Sequence, residues 1–174
     1  IEVWVTNKRG NYDQARNIVA LADLGESDGA HILNPSWAPA AGARSPYNKA
    51  NTMYETLSLD PKIRDIQQVS SAMQELSDME LGEAYEKVES ARLLNSGEYT
   101  LNAALGYISL KTALNQDEVL AVAYEYTYAG QVYQVGEFST DGGESLKAPN
   151  ALLLKLLKST NNSPSEKNKG TWDL

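Results

Sequence analysis

Apolar and polar residues alternate at the start of the chain, where Ile1, Val3 and Val5 interleave with Glu2, Trp4 and Thr6 before the turn residues of 7–11. A period of two is the mark of a strand, because successive side chains of an extended backbone point to opposite faces. Residues 17–24 (NIVALADL) form a short apolar run of strand length, closed by Gly25. Gly, Pro, Ser and Ala then fill residues 25–47 without periodicity, which predicts a long irregular loop. The middle of the chain changes period. Asp60 and Pro61 fit an N-cap followed by proline in the first helical turn. Ile63, Ile66, Val69, Met73 and Leu76 then step by three or four residues and form one apolar stripe. Residues 51–57 predict a shorter helix before it, with Met53, Tyr54 and Leu57 facing the same core.

Strand signals return over 88–94, 98–101 and 106–110, and then in the clearest element of all, the hairpin of 118–139 (EVLAVAYEYTYAGQVYQVGEFS). Leu120, Val122, Tyr124, Tyr126 and Tyr128 alternate with smaller or polar residues, and Val132, Tyr133, Val135 and Phe138 resume the pattern after Gly130. A two-residue Gly130-Gln131 loop of type II′ would pair Tyr128 with Tyr133 and Tyr126 with Val135. Residues 151–158 fit two periods: Leu153, Leu154 and Leu157 share a helix face, while Leu152, Leu154 and Leu156 share a strand face. The β-rich context favours a strand. Residues 159–170 are polar and poor in apolar anchors, which reads as a linker or flexible loop. Together these elements predict an α+β fold with a mainly antiparallel, sandwich-like sheet and a two-helix insertion at about 48–80. One domain would cover 1–158, followed by a polar linker over 159–174 that leads to a truncated C-terminal segment.

Composition narrows the function. The net charge of −8 and the lack of any basic run argue against a nucleic-acid partner. No apolar run approaches the ~18 residues of a spanning helix. The chain has no cysteine, which removes disulfides, thiolate metal sites and cysteine nucleophiles together. His31 is the single histidine, with Ser27 and Asp28 close by in sequence, but no G-x-S-x-G elbow accompanies them. Two acidic loops, 23–29 and 141–144, carry oxygen ligands of the kind calcium uses, yet neither has the EF-hand spacing. Asp, Gly and Ser build such turns for backbone reasons alone. Glu83, Glu86 and Glu89 could supply a carboxylate pair, but read more simply as a charged, solvated strand edge. No catalytic residues, metal or cofactor are assigned, and the inventory argues against an enzyme.

Ten tyrosines against one phenylalanine mean that aromatic surface here usually carries a hydroxyl. Tyrosine suits places where one end of the ring is packed and the other is wet, binding surfaces included. Tyr124, Tyr126, Tyr128 and Tyr133 are therefore the candidate binding residues. Cross-strand pairing within the sheet is the simpler account of them.

Several blocks resemble the outer-membrane translocon of the bacterial type IX secretion system, the SprA/Sov family of secretion and gliding-motility proteins. These are IEVWVTN at 1–7, VALADLGE at 19–26, NTMY at 51–54, IRDI at 63–66, YEKV at 85–88, EYT at 98–100 and LGYISL at 105–110. The tyrosine hairpin, LKLLKS at 154–159 and WDL at 172–174 continue the same order. The resemblance implies a Bacteroidetes-type cell envelope and a parent protein in the outer membrane that exports folded cargo alongside other components of the machinery. It offers no catalytic residues to transfer. Ile1 lies inside a strand pattern and residues 171–174 begin an apolar segment, so both ends read as cut. The chain is then expected to be a soluble domain set between barrel strands, facing the periplasm, the lumen or the outside. The rival expectation is a cell-surface domain that recognises glycan or protein through its tyrosine-rich sheet. A hydrolase built on His31 is a third.

Overall fold

The opening alternation does form a strand, β1 (Glu2–Val5), but both of its faces are buried: Val3 and Val5 on one, Trp4 on the other. The reason is its place in the sheet. In the computed structural model, which describes residues 1–10, 12–26, 46–141 and 147–163, β1 has a neighbour on each side. It pairs antiparallel with β3 (Tyr85–Leu93) through Trp4 and Leu93, and with β6 (Leu120–Tyr128) from Glu2 opposite Ala123 to Val5 opposite Leu120. β3 pairs antiparallel with β2 (Arg16–Leu21), β2 runs parallel to β8 (Ala151–Lys158), and β8 pairs antiparallel with β6. The pairings β1–β3–β2–β8–β6–β1 close a ring. β7 (Gln131–Val135) pairs with the outer half of β6, and β4 (Tyr99–Asn102) with β5 (Tyr107–Leu110) forms a separate ribbon.

Three apolar clusters follow from that closure. Inside the ring lie Trp4, Ile18, Val88, Leu152, Leu154 and Leu156, with Ala20, Ala91, Ala121 and Ala123 between them. Small residues opposite a fully buried indole let the walls approach to close packing. One outer face, Val19, Leu21 and Leu153, packs under Met53, Leu57, Ile63 and Met73 of the helical segment. The other, Val3, Val5, Leu120 and Val122, packs under Tyr99, Ile108 and Leu110 of the ribbon. The result is the expected α+β, mainly antiparallel, sandwich-like fold. β8 is the expected strand at 151–158, and the parallel β2–β8 pair is the exception to antiparallel order. A strand covered on both faces reads as a continuous apolar run, which is why ALLLKLLK fitted two periods equally well.

The helical insertion departs from expectation in one respect. It holds three short helices, α1 (Met53–Leu59), α2 (Pro61–Arg64) and α3 (Val69–Gln74), where two were expected. Asp60 caps α2 as anticipated, its carboxylate accepting from the Lys62 amide at 2.8 Å. The stripe from Ile63 to Leu76 is broken at Asp65, whose backbone is extended at ψ 114°. Asp65 bridges to Asn150, and the Ile66 amide donates to the Pro149 carbonyl at 3.3 Å. The Asp65 carboxylate then accepts from the Gln67 amide at 2.9 Å and from Gln68 Nε2 at 2.6 Å, restarting the chain toward α3. A tertiary backbone contact outweighs helical continuity here, yet Ile63, Ile66, Val69 and Met73 all reach the core.

The hairpin exists, but its register differs from the expected one by a full step of the ladder. Tyr128 faces Gln131, Tyr126 faces Tyr133 and Tyr124 faces Val135. The turn residues are Ala129 and Gly130, with φ of 50° and 79°. Two positive φ values define a type I′ turn, whose twist matches the flanking strands. Accepting alanine in the left-handed region at Ala129 brings Tyr126 opposite Tyr133, and their rings stack at 5.2 Å between centroids. The faces were assigned correctly because both registers keep the same parity.

Gly136, just past β7, also has φ of 79°, and a Cβ there would lie 2.9 Å from the Val122 carbonyl oxygen and 3.0 Å from Ala123 Cα. Gly130 has a similar φ with nothing within 4 Å. Gly136→Ala is therefore expected to destabilise the fold by about 2–4 kcal/mol, combining left-handed strain with overpacking. Gly130→Ala should lose only about 1–2 kcal/mol, from strain alone. Urea denaturation of both variants measures the difference, and equal losses would contradict the close approach at Gly136.

Candidate functional site

The hairpin tyrosines do not form an open surface. Tyr126 and Tyr133 stack across the strands, Tyr47 meets Tyr133 edge-on at 5.3 Å, and Tyr124 lies 6.3 Å from Tyr126. The Tyr126 hydroxyl donates to the Pro46 carbonyl at 2.9 Å, and the Tyr133 hydroxyl to Gln131 Oε1 at 2.8 Å. Tyr124 packs against the cluster under the ribbon. Of the four candidates, Tyr128 alone stands largely open, 65 % exposed. Structure thus brings Tyr124, Tyr126 and Tyr133 together and leaves Tyr128 apart.

What the stack holds is the chain's own segment at 46–54. The Asn48 amide donates to the Gln134 carbonyl at 2.9 Å, and Asn48 Oδ1 accepts from the Gly136 amide at 2.9 Å. Asn51 donates its amide to the Gly25 carbonyl at 3.0 Å and accepts from the Met53 amide at 2.8 Å, opening α1. Gly25 is required at this crossing, since a Cβ would lie 2.6 Å from the Asn48 carbonyl oxygen.

Glu137 is the centre of the polar network beneath. Its Oε1 accepts from the Tyr54 hydroxyl at 2.7 Å and Arg64 Nη2 at 2.6 Å; its Oε2 accepts from Arg64 Nη1 at 2.9 Å and the Leu153 amide at 2.9 Å. Arg64 Nε reaches the Ser58 carbonyl at 3.2 Å. One bidentate pair therefore ties α1, α2, β8 and the end of β7 together, with both carboxylate oxygens doubly occupied. Burial, reinforced by the Glu137 carboxylate, pushes the Tyr54 phenol well above the ordinary tyrosine range. Burial chiefly, aided by the charges of Glu26 and Tyr126, pushes Tyr124 up to about 12.

The other sequence candidates resolve differently. In the acidic loop at 23–29, Asp23 accepts from the Gly25 amide, and Glu26 accepts from the Leu24 amide and pairs with Lys155. Lys155 also donates to the Ala22 carbonyl. Asp141, in the second acidic loop, accepts from the Phe138 amide at 2.8 Å and Gln134 Nε2 at 2.7 Å. Among the described residues no group of three His, Cys, Asp or Glu could hold a metal ion. His31, Ser27, Asp28, the rest of 142–144 and Trp172 lie outside the described residues. The solvated-edge reading fails for Glu86, which is buried and accepts from Ser159 Oγ at 3.0 Å and from the Thr160 amide and hydroxyl. Those two residues, read as the start of the linker, are clasped to β3. No helix among the described residues is long and apolar enough to cross a membrane.

Sequence reading missed Glu137, Arg64 and Lys155, and saw Glu26 only as part of a calcium-type acidic loop. For Lys155 a signal existed: it lies between Leu154 and Leu156 inside an apolar run. A lone charge in an apolar stretch calls for a buried partner.

Two outcomes test this arrangement. A double-mutant cycle on Tyr126→Leu and Tyr133→Leu is expected to give a coupling of about 0.5–1.5 kcal/mol, and zero coupling would mean the stack contributes nothing. Alkaline pH provides the second. Tyr54 and Tyr124 keep their protons in the folded chain while the unfolded chain releases them near pH 10. Their contribution to stability is thus complete below pH 10 and lost as pH rises toward 12. Urea midpoints measured across that window should fall, and Tyr54→Phe should flatten the fall. No protein-family model matches this chain, and no curated protein sequence matches it.

Proposed function

We propose that this chain is a non-catalytic scaffold domain of a bacterial outer-membrane protein-secretion translocon of the type IX, gliding-motility class, contributing to pore architecture, gating or docking of machinery components and cargo. The observation that carries this reading is the inward commitment of the tyrosine hairpin. Tyr133 packs on both Tyr126 and Tyr47, and the Tyr126 hydroxyl bonds the Pro46 carbonyl, so the most distinctive block of the sequence acts as a brace. The blocks that resemble the translocon family fall on the framework as well. IEVWVTN contains β1, VALADLGE ends β2 and enters the Gly25 crossing, and LKLLKS ends β8. A brace of this kind suits a part that transmits or resists force between neighbours.

The exposed Tyr128 favours a second reading, recognition of glycan or protein at the hairpin tip. Both readings meet in one experiment on the chain in its native polypeptide in cells. Glu137→Leu leaves Arg64 buried without its partner, a loss of about 3–5 kcal/mol, and is expected to cut cargo export at least tenfold while the polypeptide still reaches the outer membrane. Tyr128→Ala is expected to leave export within twofold of wild type. Normal export from Glu137→Leu, with the domain shown unfolded by protease sensitivity, would sink the translocon reading. Loss of cell-surface binding in Tyr128→Ala alone would install the recognition reading in its place.

A further inference from the structure

The β4–β5 ribbon carries no charged side chain from Tyr99 to Leu110, in a chain of net charge −8. Both of its edges are unpaired among the described residues. Which backbone groups they present follows from one hydrogen bond, the Lys111 amide to the Glu98 carbonyl at 2.9 Å, and from the register, which sets Thr100 opposite Ser109. Hydrogen-bonded pairs alternate along an antiparallel ladder, so Thr100 and Ser109 bond within the ribbon. Tyr99 and Leu101 turn their N–H and C=O groups outward on β4, and Ile108 and Leu110 do so on β5. Protein edges are normally blunted by lysine, proline or a bulge. None of these devices occurs here.

The two edges are not equivalent. On β5 the outward residues Ile108 and Leu110 are half-buried against the core below. On β4 Leu101 is 45 % exposed, although it shares the core-facing side with Tyr99. Open backbone edges rule against insertion of the ribbon into hydrocarbon, where unpaired N–H and C=O groups are too costly. They favour another strand.

We propose that a second copy of this chain adds to β4, antiparallel about a two-fold axis at Thr100. In that register Tyr99 and Leu101 of one copy exchange hydrogen bonds with the partner copy's equivalents of Leu101 and Tyr99, and each leucine is covered by a tyrosine ring. Thr100 meets its own equivalent on the opposite face, a favourable hydroxyl pair. The nearest carboxylate, Glu98, falls opposite Asn102 and is already held by Arg92 at 2.8 Å and Arg9 at 3.4 Å. No like charges oppose at the contact, so the overall −8 acts only at a distance. The edge is only four residues long, so the contact is a small one and association is weak and concentration-dependent.

The absence of cysteine makes the register directly testable. Thr100 would occupy a non-hydrogen-bonded pair with its equivalent, where Cα atoms lie about 4.5 Å apart, within the range a disulfide spans. Under mild oxidation of the full chain, Thr100→Cys is expected to form a disulfide-linked dimer at least tenfold faster than Ser109→Cys on the other edge. In sedimentation equilibrium, wild type should move toward twice the monomer mass at millimolar concentration, and Leu101→Lys should stay monomeric with an unchanged melting temperature. A wild type monomeric throughout, equal crosslinking from both cysteines, or self-association undisturbed by Leu101→Lys overturns the proposal. Should Leu101→Lys melt early, the cysteine pair decides alone.

Discussion

Everything in this fold depends on β1 having two neighbours. A four-residue strand would stabilise little by itself, but its pairing with both β3 and β6 turns an open sheet into a ring. Closure does two things at once. It removes exposed ladder groups along the ring, and it creates an interior into which the Trp4 indole and the leucines of β8 can be withdrawn completely. With the inside filled, the outer faces need their own covers. The helices and the ribbon supply them, and so a domain of modest length contains three apolar clusters.

Polar groups were added to this apolar plan where loops had to be fastened to the ring. Glu137, Glu26 and Glu86 each carry a carboxylate out of water, and each accepts from at least one donor far away in the sequence. Net gain from such pairs is small, since desolvation offsets attraction, but their geometry is demanding. Their contribution is specificity: they decide which loop lies over which strand. Glu2 does the same at the other end of the ring, accepting from the Trp4 indole at 3.1 Å and from the Ser139 amide at 3.0 Å.

Local pattern made the strands legible and left their partners obscure. Period-two alternation located the hairpin, and propensity with capping placed Asp60 at a helix start. The hairpin register slipped because it was decided by turn preference, whereas the folded chain accepts Ala129 in the left-handed region for the sake of the Tyr126–Tyr133 stack. The helix break at Asp65 depends on Asn150 and Pro149, far away in sequence, and no window around 60–76 contains that information. The same holds for the candidate site. Tyr124, Tyr126, Tyr128 and Tyr133 were visible as a group, but whether each ring faces solvent or Tyr47 depends on a segment some eighty positions earlier. Apolar periodicity reports which side of an element is buried; it is silent about what buries it.

The parallel pairing of Asn17 with Ala151 has a consequence for how the chain comes to be folded. β2 is made well before β8, so the ring stays open throughout the synthesis of the residues between them. Loop closure over that span must precede the reward of the interior contacts, which makes for slow folding of high contact order. Until then Ile18, Ala20 and the edge of β2 are presented to whatever is nearby. A nascent or threading chain of this kind has a long interval of vulnerability, and it ends abruptly when β8 arrives.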